Sequence, residues 1–352
     1  MTTRFYRPEL DVIRFIAFFT VFLHHTIPRN GRLSWSIANA FGFGLCLFFV
    51  LSAYLITTLL LREKQLTDTI ALGAFYKRRM LRIWPLYYAA LLVGVLWSVH
   101  LKEIEARRIW FIAALFMGGN VIPSTGFVGH LWSISIEEQF YVVWPNLVRE
   151  LRTRHLVVAA LVMILISNFT LAHFGLIHAD TDVRIWTNTF VQFGMFATGI
   201  LLAIYDSMFQ RKLSNPMRAL TFLLVPLAWF FATFILQIKG PMARGPISLC
   251  VGYALIGVSC TLLIASFFGL SKWPRWIVYM GKISYGLYVF HYPLISLVKH
   301  SAPHLSKLVQ ATIAFFTTSL IAHLSYRYFE SPFLRLKERF EIVGSRPIET
   351  AP

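Results

Sequence analysis

The stretch "LVVAALVMILISNFTLAHFGL", residues 156–176, contains no charged residue. Coiled as a helix, a run of about 20 residues is roughly 30 Å long, the thickness of the hydrocarbon core of a bilayer. Comparable runs recur near 10–28, 43–61, 83–100, 109–122, 186–205, 219–238, 247–269, 277–298 and 308–329. They are continuous rather than alternating, which selects helices over a closed β-barrel. Only 14% of the residues are charged, against roughly 25% in soluble domains. The expected fold class is an all-α polytopic membrane protein with about ten transmembrane helices.

One stretch fits that count poorly. "FVGHLWSISIEEQFYVVWPNLV", 127–148, is amphiphilic and carries adjacent Glu137 and Glu138. Basic residues concentrate on the cytoplasmic side of membrane proteins. With the N-terminus inside and 127–148 not crossing, 21 of the 33 Lys and Arg fall in inner segments and 10 in outer ones, Arg14 and Arg327 lying within spans. If 127–148 crossed as an eleventh span, the acidic loop with Asp180 and Asp182 would move inside and the later basic loops outside. The charge pattern therefore makes 127–148 a re-entrant or surface element on the cytoplasmic side. Residues 1–333 read as one membrane domain and 334–352 as a short cytoplasmic tail. No cleavable leader is expected, because residues 1–11 are polar and no small-residue cleavage site follows the first span.

The net charge of +17 is accounted for by inner-face basic residues, so no nucleic-acid partner is expected; membrane lipid is. Cys46, Cys250 and Cys260 all lie in apolar runs, with no Cys/His spacing suited to a metal.

Four stretches carry residues capable of chemistry. In "ELDVIRFIAFFTVFLHHT", Arg14 and His25 are eleven positions apart, about 20° from alignment on a helix and ~16 Å apart along it. They share one face, either as a polar shaft with a proton-handling imidazole or as residues at the two interfaces. "FYKRRMLRIWPLYY", 75–88, gathers Lys77, Arg78, Arg79 and Arg82, either inner-face flanking charge or an anion site built from planar guanidinium groups. "GHLWSISIEEQFYVVWP", 129–145, sets Glu137 and Glu138 near His130 and Trp132, where Glu137 can pair with the arginines or orient a histidine. "GKISYGLYVFHYPL", 281–294, places His291 within a candidate span.

Together with "FGLCLFFVLSAYLIT", 43–57, these stretches resemble the membrane acyltransferase 3 family over nearly the whole chain. The matched positions are Arg14 and His25; Gly44 and Ser52, with Ala53 where glycine is usual; Arg79, Arg82 and Pro85; His130, Trp132, Ser133, Glu137, Gln139 and Tyr141; and Ser284, Tyr285, His291 and Pro293. The resemblance implies a ten-span fold in the bacterial inner membrane with both termini cytoplasmic. It also implies an acyl-coenzyme A donor, acetyl-CoA foremost, whose polyanionic nucleotide gives the arginine cluster a purpose. Some members carry an additional extracytoplasmic esterase-like domain, which is not expected here.

The function expected on this basis is an O-acyltransferase. It moves an acetyl group to a hydroxyl of a saccharide acceptor, such as a lipid-linked glycan, exopolysaccharide or lipopolysaccharide. His25 would serve as general base or transient acyl carrier, Arg14 would steady the donor or the thioester oxyanion, and Glu137 would orient a partner. Arg78, Arg79 and Arg82 would hold coenzyme A phosphates. His130, Trp132, Ser133, Gln139, Tyr141, Ser284, Tyr285 and His291 would support or bind substrate. A glycosylated or macrolide-type small molecule is the alternative acceptor. A secondary transporter of a small anion is the rival class, which predicts paired repeats with interrupted helices; none are visible. The charge asymmetry predicts that reporter fusions at Leu66, Arg152 and Pro274 read cytoplasmic, and those at Gly31 and Thr181 extracytoplasmic. A cytoplasmic reading at Thr181 would overturn this topology.

Overall fold

A computed structural model describes residues 5–101, 104–122, 126–206, 213–240, 243–270 and 272–344. Among the charges counted above, Arg4, Lys102, Arg211, Lys212 and Arg346 lie outside these residues. Every long regular element described is helical.

The order is α1 Pro8–Thr26, α2 Arg32–Phe41, α3 Gly44–Thr67, α4 Leu72–His100, α5 Ile104–Leu115, α6 Trp132–Glu150, α7 Thr153–Leu176, α8 Thr189–Ile204, α9 Asn215–Phe234, α10 Pro246–Phe267, α11 Arg275–Lys282, α12 Ser284–Ser301, α13 Lys307–Leu324 and α14 Ser331–Glu338. Among the described residues, six helical stretches are long and apolar enough to cross a membrane: Arg32–Thr67, Leu72–His100, Thr153–Leu176, Asn215–Phe234, Pro246–Phe267 and Lys307–Glu338. The remaining long helices are shorter or interrupted by charge. α1 carries Glu9, Asp11 and Arg14, and α6 carries Glu137, Glu138, Arg149 and Glu150.

Helix α3 is the central post, buried along most of its length. α8 lies against it so closely that a Cβ on Gly199 would collide with the Val50 carbonyl. Phe196 of α8 stacks on Phe140 of α6 at 4.4 Å between centroids and meets Phe49 of α3 at 5.1 Å. α11 approaches α1 with the same intimacy, Gly281 resting on the backbone of Asp11. At the same end of α1, Arg7 donates to Tyr54 Oη at 2.7 Å and to Asp206 at 3.1 Å, tying the start of α1 to α3 and to the end of α8.

The region between α4 and α7 differs from the sequence expectation. α6 is a continuous helix running antiparallel to α4 along its length. Phe127 stacks on Trp97 at 5.0 Å, Trp84 Nε1 donates to Glu138 at 3.1 Å, and Tyr76 Oη donates to the Val142 carbonyl at 3.0 Å. Lys64 Nζ then caps the far end of α6, donating to the carbonyls of Val148, Arg149 and Leu151 at 2.8–2.9 Å, where the helix presents its orphan acceptors. α5 instead ends beside the middle of α4, its last carbonyls receiving Tyr87 Oη at 2.8 Å and Tyr88 Oη at 3.2 Å. The turn that follows is satisfied internally: Trp110 Nε1 donates to Gly119 O at 2.9 Å and Gly119 N to Ser135 Oγ at 3.2 Å. Irregular backbone at membrane depth requires such partners. The physical reason for the difference is that hydropathy weighs Glu137 and Glu138 as if they faced lipid, whereas both carboxylates turn into the bundle.

With α5 ending beside the middle of α4, the turn after it is expected to open on the side of the α4 C-terminus. Val121→Cys should therefore react with a membrane-impermeant maleimide from the same side as a cysteine at Gly31. Labelling only from the opposite side would restore a crossing at 109–122.

Candidate active site

The bundle encloses a cavity of about 190 Å³. Its upper end is closed by apolar residues of α3, among them Leu45 and Phe48, and its lower mouth is bordered by Phe5, Lys337, Glu341 and Val343. Arg14, Arg78, Arg79 and Arg82 all reach its wall, as do Ser133, Glu137 and Tyr141 of α6 and Ser284 and Tyr285 of α12.

The four arginines have different commitments. Arg14 Nη1 pairs with Asp11 Oδ1 at 2.7 Å, one helical turn away. Arg78 is fully engaged: Nη2 pairs with Glu63 at 3.1 Å, and Nη1 donates to the Phe340 carbonyl at 2.6 Å. Glu63 is buried and also accepts the Ala71 backbone N–H at 2.9 Å, closing the turn between α3 and α4. Arg79 lies over the rings of Phe75 and Tyr141, and its Nε is buried without a hydrogen-bond partner. Arg82 lies within electrostatic reach of Glu137 and Glu330. Among the described residues neither Arg79 nor Arg82 makes an ion pair with a carboxylate. Those two guanidinium groups have donors left for an anion.

On the facing helix, Glu137 Oε2 accepts Tyr141 Oη at 3.1 Å, and Tyr141 shares a hydrogen bond with Ser52 Oγ. Glu137 thus orients a tyrosine rather than a histidine. Tyr285 donates to the Ile83 carbonyl at 2.8 Å, joining α12 to α4. Gln139 and Trp132 point away from the cavity. Gln139 bonds Asn120, Met117 and Thr189, and Trp132 meets Trp186 edge-on.

The histidines form a separate group. His291 lies 5.4 Å from His25 and 5.1 Å from His130, between ring centroids. His25 also meets Tyr292 at 4.9 Å. Arg14 and His25 therefore share α1 without sharing a cavity. Phe18 and Tyr288 contact His291 directly, Phe48 lies edge-on to Tyr288, and Ser133 Oγ and Tyr288 Oη are 2.6 Å apart. These side chains form a layer one residue thick between the cationic cavity and the histidines.

His24 and His25 are distinguished by their partners. His24 Nδ1 contacts the Ala38 carbonyl at 2.8 Å and Nε2 contacts Arg29 at 3.3 Å. The ring of His25 makes no hydrogen bond among the described residues. Sequence reasoning missed Asp11, Glu63, Tyr288 and the tail around Phe340. Asp11, three residues before Arg14, was the one with a readable signal.

A sequence model of the family described as Acyltransferase domain matches residues 7–327. A Staphylococcus aureus protein provisionally named an O-acetyltransferase is 29% identical across 97% of this chain and 59% of its own length. The peptidoglycan O-acetyltransferase OatA of Listeria monocytogenes is 26% identical across 94% of this chain and 57% of its own length. The chain thus spans less than two thirds of these relatives. No solved structure matches it.

Arg78→Gln strips buried Glu63 of its cation, a change that costs about 3–5 kcal/mol when a buried pair loses one partner. Its thermal melting point in detergent should fall well below those of Arg79→Gln and Arg82→Gln. Equal melting of all three variants would show that the Glu63 pair holds nothing together.

Proposed function

The chain belongs to this acyltransferase family, and from that premise we propose that it transfers an acetyl group from acetyl-coenzyme A to a saccharide hydroxyl. The observation that carries the reading is the adjacency of two unlike compartments, a cationic cavity and a histidine group, across one layer of side chains. Arg79 and Arg82 receive coenzyme A phosphates, with Arg78 holding the wall behind them. The pantetheine arm runs along α3 toward Arg14, whose guanidinium faces the oxyanion that develops on the thioester carbonyl. His25 takes the proton of the acceptor hydroxyl as the new ester forms. The coenzyme A thiolate is the leaving group, and the proton held by His25 is available to it after the ester has formed. Tyr288 and Phe48 have to shift for the acetyl group to meet the hydroxyl, because they stand between the two compartments. The name of the Listeria relative supports a cell-wall glycan as acceptor.

In this reading both termini lie in the bacterial cytoplasm and ten helices cross the membrane: α1, α3, α4, α6, α7, α8, α9, α10, α12 and α13, the last continuing into α14. α5 dips from the outer face and returns. Charges at membrane depth face the interior or a neighbouring carboxylate, as the cost of leaving them in lipid demands.

The test is transfer of radiolabelled acetyl from acetyl-CoA to a glycan by purified variants, with folding followed by thermal melting. A general base typically contributes about 10²–10⁴-fold in rate, so His25→Ala should lose at least roughly a hundredfold while melting like the parent. His24→Ala should retain turnover within about tenfold, below the loss of a general base. It should also melt earlier, because its ring serves the Ala38 carbonyl and Arg29. An active His25→Ala enzyme would move the base elsewhere. Anion movement across vesicles without acetyl transfer would instead favour a transporter.

A further inference from the structure

The histidine group contains two buried nitrogens that need a donor. His291 is 0% exposed and His130 is 8% exposed. His291 Nδ1 lies 2.6 Å from the Tyr288 carbonyl, and His130 Nε2 lies 3.1 Å from the Val289 carbonyl. A carbonyl oxygen only accepts, so each of these nitrogens carries the hydrogen. In the neutral ring the other nitrogen then holds a lone pair. Those other nitrogens, His291 Nε2 and His130 Nδ1, are buried and have no hydrogen-bond partner. Buried polar atoms are nearly always paired, and each exception calls for a reason. Two lone pairs cannot satisfy one another, even with the rings 5.1 Å apart. Only a group bringing hydrogens of its own satisfies both.

We propose that His130 and His291 form a hydroxyl clamp, each accepting the hydrogen of one of two neighbouring hydroxyls on the acceptor saccharide and so holding one of them against His25. The proposal rests on the acetyl-transfer reading and adds to it where the acceptor binds and which chemical feature is recognised. The tautomers are fixed from outside the site by the backbone of α12, since both carbonyls belong to consecutive residues of that helix. An imidazole locked in this way can accept without first rotating or exchanging a proton. The clamp favours polyols over simple alcohols, because a single hydroxyl brings one hydrogen to two acceptors.

The test uses substitutions that keep each carbonyl bond and remove only the lone pair. In His291→Asn the amide nitrogen takes the place of Nδ1, and in His130→Gln it takes the place of Nε2. The probe acceptor is chitotetraose. In both variants kcat/KM for chitotetraose should fall about 10–100-fold, the loss expected when a buried hydrogen bond is left half-made. The Kd for acetyl-CoA by calorimetry and the melting point should stay at parental values. In the parent labelled with ¹⁵N-histidine, the lone-pair signals of His291 Nε2 and His130 Nδ1 should move upfield on addition of millimolar chitotetraose. Signals that stay still, or variants with parental kcat/KM, would overturn the clamp. A parent that fails to bind acetyl-CoA would instead overturn the acetyl-transfer reading on which it rests.

Discussion

Asp11 and Arg14 meet at 2.7 Å across one turn of α1, and the interior of the bundle is organised around pairs of this kind. An unpaired charge at the bilayer centre costs roughly 2.5–3.5 kcal/mol even on lenient scales. Pairing lets α1 lie in the middle of the protein with its charged face on the cavity rather than at an interface. Arg7 with Asp206 and Arg78 with Glu63 repeat the arrangement. In each pair the carboxylate is the more deeply buried partner, and the arginine reaches the cavity wall. Asp11, Glu63 and Asp206 are therefore committed to the walls. Arg79 and Arg82 make no such pair and feel Glu137 and Glu330 only at longer range, so the same pairing that stabilises the helices leaves them with donors for an anion.

Above the layer of Phe18, Phe48 and Tyr288 the chemistry changes character. The cavity below offers guanidinium donors, while the group above offers imidazole acceptors held by backbone carbonyls. A phosphate suits the first and a hydroxyl the second. In the proposed reaction, keeping them apart lets each group be complementary to its own ligand, and the thin partition is the element that would have to yield.

Much of this was legible from the chain. Uninterrupted apolar runs announced the helices, and the eleven-residue spacing put Arg14 and His25 on one face. The family resemblance named many of the side chains that line the cavity. What stayed hidden depended on direction and on distance along the chain. Hydropathy cannot tell a glutamate facing a neighbouring helix from one facing lipid, so the packing of Glu138 against Trp84 of α4 was not legible. The hydrogen bond from Arg78 to the Phe340 carbonyl joins residues 262 positions apart, and no local pattern signals it. Equally, the shared face of α1 gave no sign that aromatic side chains from α3 and α12 would divide it.

One short contact at the cavity mouth bears on the arithmetic of the whole fold. The Phe5 backbone N–H donates to the Gly344 carbonyl at 2.7 Å. In the proposed topology this contact lies outside the hydrocarbon, so the path between its two ends traverses the bilayer an even number of times. That parity holds whichever individual helices are counted. It means that promoting α6 to a crossing goes with demoting another segment, the exchange that the proposed ten-span topology makes with α5.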